Sequence, residues 1–194
     1  HKIFEIDKSH KIGALRTYLD KRTGPILIFG RTKHGVKKLA TQLEGLGYPV
    51  DSLQGNLNQN AREQVMRGFR SGKVPILVAT NVAARGLDIK GIEQVINFDL
   101  PDSELHFTHR TGRTGRMGQQ GEAITFITWE DHKKWREIER ALGRKFKREL
   151  WPGSTRQLDG SNASSGLGFP NNDHKGTGSP RGVFAGKRVF RRSV

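Results

Sequence analysis

Apolar residues in this chain fall into short continuous runs, separated by stretches in which they recur every three or four positions. The runs are Ile3-Phe4-Glu5-Ile6, Ile26-Leu27-Ile28-Phe29, Val50 to Leu53, Val74 to Ala79, Val95-Ile96-Asn97-Phe98 and Ala123 to Ile127. Each is too short for a helix and rich in β-branched or aromatic residues, so each predicts a strand. Most are continuously apolar, as expected of strands covered on both faces. The intervening stretches carry helical spacing: Ile12, Leu15 and Leu19; Val36, Leu39, Ala40, Leu43 and Leu46; Val65 and Phe69; Trp135, Ile138 and Leu142. Start and stop residues punctuate them. Ser9, Thr32, Asn58 and either Asp102 or Ser103 stand where an N-cap belongs, and Thr128 with Asp131 has the spacing of a capping box. Gly47 and Gly72 stand where helices close, and the break at Gly24-Pro25 separates the first helix from the second strand.

Strand and helix alternate throughout, which predicts an α/β fold: a parallel sheet between two layers of helices. In such sheets ligands collect at the carboxyl ends of the strands. The polar segments that follow the strands are Gly30 to Lys33, Gln54 to Gln59, Thr80 to Asp88 and the loop and helix ending at Arg116. They are expected along one rim. Beyond Leu150 the periodicity stops. Residues 151–194 are rich in Gly, Ser, Asn and Pro, and cannot bury enough apolar surface to offset their chain entropy. The expected division is therefore a folded domain over 1–150 and a disordered basic tail over 151–194.

Charge sharpens the picture. The 194 residues carry a formal net charge of +15, which calls for an acidic partner, and nucleic acid is the usual one. No long apolar run suggests a membrane span. The absence of cysteine excludes disulfides, thiolate metal sites and cysteine nucleophiles. The seven histidines are not spaced as metal ligands. No signal peptide opens the chain, and a cytoplasmic location is expected. In the tail, Arg156, Lys175, Arg181, Lys187, Arg188, Arg191 and Arg192 face only Asp159 and Asp173, and Phe184 and Phe190 stand among the last of them. Cations for phosphates and rings for bases suit contact with single-stranded RNA, notably through Arg188, Arg191 and Arg192. A solubilising tail is the alternative.

The densest chemistry lies in His109-Arg110-Thr111-Gly112-Arg113-Thr114-Gly115-Arg116. Arginine binds phosphate oxygens through a fixed fork and stays charged, while glycine lets a backbone come close to a ligand. The octapeptide reads as a polyphosphate clamp or as a solvated basic loop. Three other segments offer phosphate contacts. Thr80-Asn81-Val82-Ala83-Ala84-Arg85-Gly86-Leu87-Asp88 follows a strand with a hydroxyl and backbone N–H groups, and Asp88 could accept from a ribose hydroxyl or pair with Arg85. Asn58-Gln59-Asn60-Ala61-Arg62 opens a helix whose first N–H groups suit a phosphate. Gly30-Arg31-Thr32-Lys33 sits likewise between strand and helix.

Together these residues resemble the C-terminal RecA-like domain of DEAD-box ATP-dependent RNA helicases. Ile28-Phe29 with Thr32 is similar to motif IV, Gln59 to Arg62 to the Gln-x-x-Arg element, Val78 to Asp88 to motif V, and His109 to Arg116 to motif VI. The resemblance covers residues 1–150. Two small departures are Phe107-Thr108, where Tyr-Val is usual, and Gln54, where His is frequent. The resemblance implies that Arg113 is the arginine finger on the γ-phosphate, supported by Arg116. It implies that His109 links to the acidic motif of the partner domain, and that Gly86 and Asp88 bind the nucleotide. It further implies that Thr32, Gly55, Arg62 and Thr80 hold RNA backbone phosphates. Neither a Gly-x-x-x-x-Gly-Lys-Ser/Thr loop nor an Asp-Glu-Ala-Asp occurs here. The resemblance therefore assigns Mg²⁺ and most of the ATP site to an N-terminal helicase domain, and the chain alone is expected to be inactive as an ATPase. The rival expectation is a stand-alone RNA-binding or annealing module, with a DNA translocase as a weaker third.

Overall fold

A computed structural model describes residues 1–84, 91–115 and 121–155. The chain divides into His1–Gln157 and Leu158–Val194, and only the first holds described residues. The expected site residues Gly86, Asp88, Arg116, Arg188, Arg191 and Arg192, and the tail from Arg156 onward, lie outside them.

In chain order the elements are β1 (Lys2–Glu5), α1 (Lys11–Asp20), β2 (Ile26–Phe29), α2 (Lys33–Gly45), β3 (Val50–Leu53), α3 (Gln59–Arg70) and β4 (Ile76–Ala79). Then come α4 (Asn81–Ala84), β5 (Gln94–Asn97), α5 (Glu104–Thr111), β6 (Glu122–Ile127), α6 (His132–Ala141) and β7 (Arg148–Leu150). The strands form one sheet in the order β3-β4-β2-β5-β6-β1-β7. Every pairing is parallel, with Ile26 opposite Ile76 and Gln94, and Ile3 opposite Thr125 and Arg148. All carboxyl ends therefore share one edge.

Alternate residues of each strand face opposite layers. Ile26, Ile28, Ile76, Val78, Ile96 and Ile124 meet Leu15 and Leu19 of α1 and Val36, Leu39 and Leu43 of α2. Leu27, Phe29, Leu77, Ala79 and Val95 meet Met66 and Phe69 of α3 and Ala83 and Ala84 of α4. On that second face Ile3 and Ile127 pack with Phe107 of α5 and Trp135 and Ile138 of α6. β2 and β4 are buried at all four positions, as their continuous apolar runs require.

The caps follow the sequence with one exception. Thr32 accepts from Gly35 N at 3.0 Å, Asn58 from Ala61 N at 2.8 Å and Ser103 from His106 N at 3.2 Å. Thr128 and Asp131 complete their capping box. Ser9 caps nothing. It lies inside a 3-10 turn, Lys8–His10, and α1 begins only at Lys11, without a side-chain cap.

The packed chain continues past the boundary expected at residue 150. β7 extends the sheet beyond β1, and Trp151 stands edge-on to Phe4 with centroids 5.2 Å apart. Ser154 Oγ accepts from Asp7 N at 3.1 Å, and Thr155 N donates to Asp7 Oδ2 at 3.1 Å. Among the described residues no helix is long and apolar enough to cross a membrane.

Candidate RNA and nucleotide site

At the carboxyl edge, β2, β3 and β4 each deliver the chain to a polar segment. Gly30 follows β2, and a Cβ there would stand 2.9 Å from Val36 Cγ2, so the turn into α2 needs glycine's small size. Thr32 is exposed at its start. After β3, Gly55 is also exposed, and a Cβ on it would meet nothing within 4 Å. Packing does not demand glycine at that point; its bare backbone is open to a ligand. Lys33 Nζ donates to Asn56 Oδ1 at 3.4 Å and links the two turns. After β4, Thr80 is nearly buried. Its N–H donates to Leu53 O, and its Oγ accepts from Ala83 N at 3.3 Å. The hydroxyl expected to meet phosphate thus also caps α4, a short helix the sequence did not announce. Arg62, one turn into α3, is half-buried and donates from Nη2 to Ala83 O. Thr32, Gly55 and Thr80 therefore sit on the turns that leave three neighbouring strands, and Arg62 reaches the third of these from α3 through the Ala83 carbonyl.

The arginine-rich stretch lies elsewhere. α5 starts beyond β5 at the same edge, but its continuation runs back across the face of the sheet. Thr114 Oγ donates toward the carbonyls of Ile92 (2.7 Å) and Glu93 (2.9 Å), which precede β5. Gly115 then adopts φ 67°, in the region that glycine enters without strain. The expectation that all four polar segments share one rim is corrected here. Among the described residues, 30–33, 54–59 and 80–84 do, and the fourth segment turns down over the second face as its eight-residue helix buries Phe107.

Arg110 organises that face. It is 2% exposed and was assigned no role from sequence. Its Nη1 donates to Asn97 Oδ1 at 3.1 Å and to the Asp99 carbonyl at 2.7 Å, and its Nε donates to Asn81 Oδ1. The guanidinium lies 5.0 Å from the centre of the Phe29 ring. Asn97 is fixed in turn by donating to Thr125 Oγ1 at 2.9 Å. Burial pushes the Arg110 guanidinium down to about 10, against the opposing charges of Asp102 and Asp99, so it remains protonated at neutral pH. Helical spacing was the available signal, since Arg110 shares a face of α5 with Phe107 and Thr111, both buried.

Over this anchor lies a cavity lined by Phe29, Asn81, Val82, Leu105, His106, His109, Arg110 and Arg113, among others. His109 is exposed and Arg113 half-buried, and Arg113 N donates to Arg110 O at 3.1 Å. His106, His109, Arg110 and Arg113 thus line a cavity whose lip, Val82 and Leu105, is apolar and exposed at 79% and 55%. Such a site can receive a phosphate group. Among the described residues no group of three or more His, Asp or Glu could hold a metal ion. The described residues of this cavity offer no carboxylate set that fits Mg²⁺.

Asp99, just after β5, holds the neighbouring turn. It accepts from Lys11 Nζ at 2.8 Å and from Arg31 N at 3.0 Å. Burial raises its pKa, but the Lys11 charge and the donated hydrogen bonds outweigh that and hold it below the ordinary Asp value. Arg31 itself is engaged by Asp131 at 3.1 Å.

The fold is that of a RecA-like parallel-sheet domain, with one polar cluster at the carboxyl edge and the other on the second face. The chain matches the helicase conserved C-terminal domain family over residues 10–118 and belongs to that family, as the C-terminal domain of a DEAD-box RNA helicase. It is 41% identical over 157 residues to the DEAD-box ATP-dependent RNA helicase CshA of Geobacillus kaustophilus, covering 80% of this chain and 34% of that protein. The chain thus spans about a third of the length of the curated relatives it matches. Among solved structures it is similar to Escherichia coli SrmB bound to regulator of ribonuclease activity A, with TM-score 0.73 and 32% identity over 82% of this chain and 98% of that one. It is also similar to Saccharomyces cerevisiae Dbp5 bound to RNA and ADP BeF3, with TM-score 0.70 and 30% identity over 77% and 41% of the two chains.

Proposed function

We propose that this chain is the second domain of an ATP-dependent RNA helicase, gripping the RNA backbone on one edge and completing an ATP site on one face. Thr32, Gly55, Arg62 and Thr80 hold RNA phosphates. Arg113 is the arginine finger, Arg116 supports it, and His109 meets the acidic motif of an N-terminal helicase domain. Gly86 and Asp88 bind the nucleotide. Mg²⁺ and the remainder of the ATP site belong to that other domain, so this chain alone is inactive as an ATPase. Arg188, Arg191 and Arg192 of the tail add RNA contacts. A relative of this fold, Dbp5, is bound to RNA and a nucleotide analogue, which supports both ligands.

One observation carries the reading. α4 is clasped from both sides, by Arg62 through the Ala83 carbonyl and by Arg110 through Asn81. A phosphate that draws Arg62 outward pulls on the segment that seats the anchor beneath His109 and Arg113. RNA at the edge and nucleotide on the face therefore act on one short helix, the coupling that ATP-driven duplex unwinding needs. A stand-alone RNA-binding module would have no use for this link.

Binding of single-stranded RNA by this chain tests the separation of faces. Arg62→Ala is expected to weaken binding at least tenfold while Arg113→Ala leaves it within about twofold, because a lost charge-assisted hydrogen bond is worth roughly 1.5–3 kcal/mol. Equal losses from the two variants would contradict the assignment.

A further inference from the structure

We infer that the outer flank of α2 carries the backbone of single-stranded RNA beyond the segment held at the edge. The inference rests on reading that edge as an RNA site. His34, Lys37, Lys38, Thr41 and Gln42 line a shallow groove along α2, and all five are exposed. Among the described residues none of the three basic side chains takes part in an ion pair. The acidic residue of α2, Glu44, stands at the far end of the helix.

Folding does not account for this charge. Lys33 occupies the first turn of α2, which holds no acidic residue, and the helix dipole disfavours a cation there. α3 shows the ordinary arrangement: Arg67 and Arg70 sit in its last turn, where the dipole favours them. The buried side of α2 is fully satisfied by Val36, Leu39, Ala40 and Leu43. Among the described residues the outer side keeps Lys37 and Lys38 without an ion pair beside neutral hydrogen-bonding residues, a surface complementary to a phosphate chain.

The flank is also continuous with the edge. Thr32 caps α2, and the Lys33–Asn56 hydrogen bond joins that cap to the loop bearing Gly55. From Thr32 to Gln42 the helix advances about 15 Å, at 1.5 Å per residue. A strand leaving the edge over Lys33 meets Lys37 and Lys38 next. Apart from the His34 imidazole at its start, the flank holds no Phe, Tyr or Trp to stack a base, so along Lys37, Lys38, Thr41 and Gln42 it follows the backbone.

The test uses this chain, with an RNA of about 20 nucleotides and another of about six that fills only the edge. Each phosphate contact on a single strand contributes about 0.7 to the salt slope of log K. Lys37→Gln with Lys38→Gln is expected to reduce that slope by about 1.4 for the long RNA and leave the short one unchanged. The same neutralisation at Lys133 and Lys134 of α6 is expected to change neither. An unchanged slope for the long RNA overturns the inference, including the case in which these lysines serve an acidic protein instead. Equal losses for both lengths, or an equal effect from the α6 pair, overturn it in favour of a general field effect. If Arg62→Ala affects neither RNA, the reading of the edge itself has failed, whatever α2 does.

Discussion

Asp99 shows how a single residue ties stability to the site. Its carboxylate holds Lys11 on one side and the N–H of Arg31 on the other, and these partners keep its pKa below the ordinary value. A carboxylate depressed in the folded state stabilises it at and above neutral pH. That stability is lost as pH falls through the folded value, which the Lys11 charge and the donated hydrogen bonds hold below the ordinary Asp value. Asp99→Asn is therefore expected to be less stable than wild type at pH 7 but to lose less on acidification from pH 5 to 2, as measured by denaturant melts across that range. Parallel acid limbs for the two proteins would show that Asp99 does not carry the effect. At this scale the caps were legible because a side-chain oxygen before an apolar run has one local job. Arg110 was not, because a buried cation is explained only by partners far away in sequence: Asn81, Asn97 and the Asp99 carbonyl. The stretch containing it reads as a polyphosphate clamp or a solvated basic loop, yet Arg110 within it is an anchor facing inward.

Elements came through where apolar runs are continuous or strongly periodic, and failed where tertiary contacts do the defining. β2 and β4 could be read directly, since burial on both faces demands the unbroken runs they show. β7, Arg148-Glu149-Leu150, is exposed at all three positions and exists because β1 offers it a free edge. α4 is four residues long and depends on Thr80 as its cap and on Arg62 and Arg110 as its clasps. The segment after β7 is a packed strap in which Trp151 meets Phe4, Tyr18 and Phe126. Trp151→Ala is expected to cost about 2 kcal/mol, below the usual range for a fully buried aromatic because this ring is only half-buried. Chemical denaturation measures it. A loss under about 0.5 kcal/mol, the size of an ordinary surface substitution, would show that the strap adds nothing to the domain.

At the scale of the whole molecule, the parallel sheet sets what can act together. Its carboxyl edge collects Thr32, Gly55, Arg62 and Thr80, while the second face carries His109 and Arg113 over the Arg110 anchor. The resemblance in the motifs announced both groups. It did not announce that they would lie on different surfaces joined by α4, because the direction of α5 is set by the burial of Phe107 against Trp135. Under the proposed function, such a domain grips RNA at its edge, and the proposed finger acts only when a nucleotide is presented to it. RNA-stimulated ATP turnover by the full-length protein, with and without Arg113→Ala, tests this most directly. An arginine finger contributes about 10³-fold or more to phosphoryl transfer, so the variant should lose at least that factor while still binding RNA. Near-normal turnover by Arg113→Ala would contradict the account.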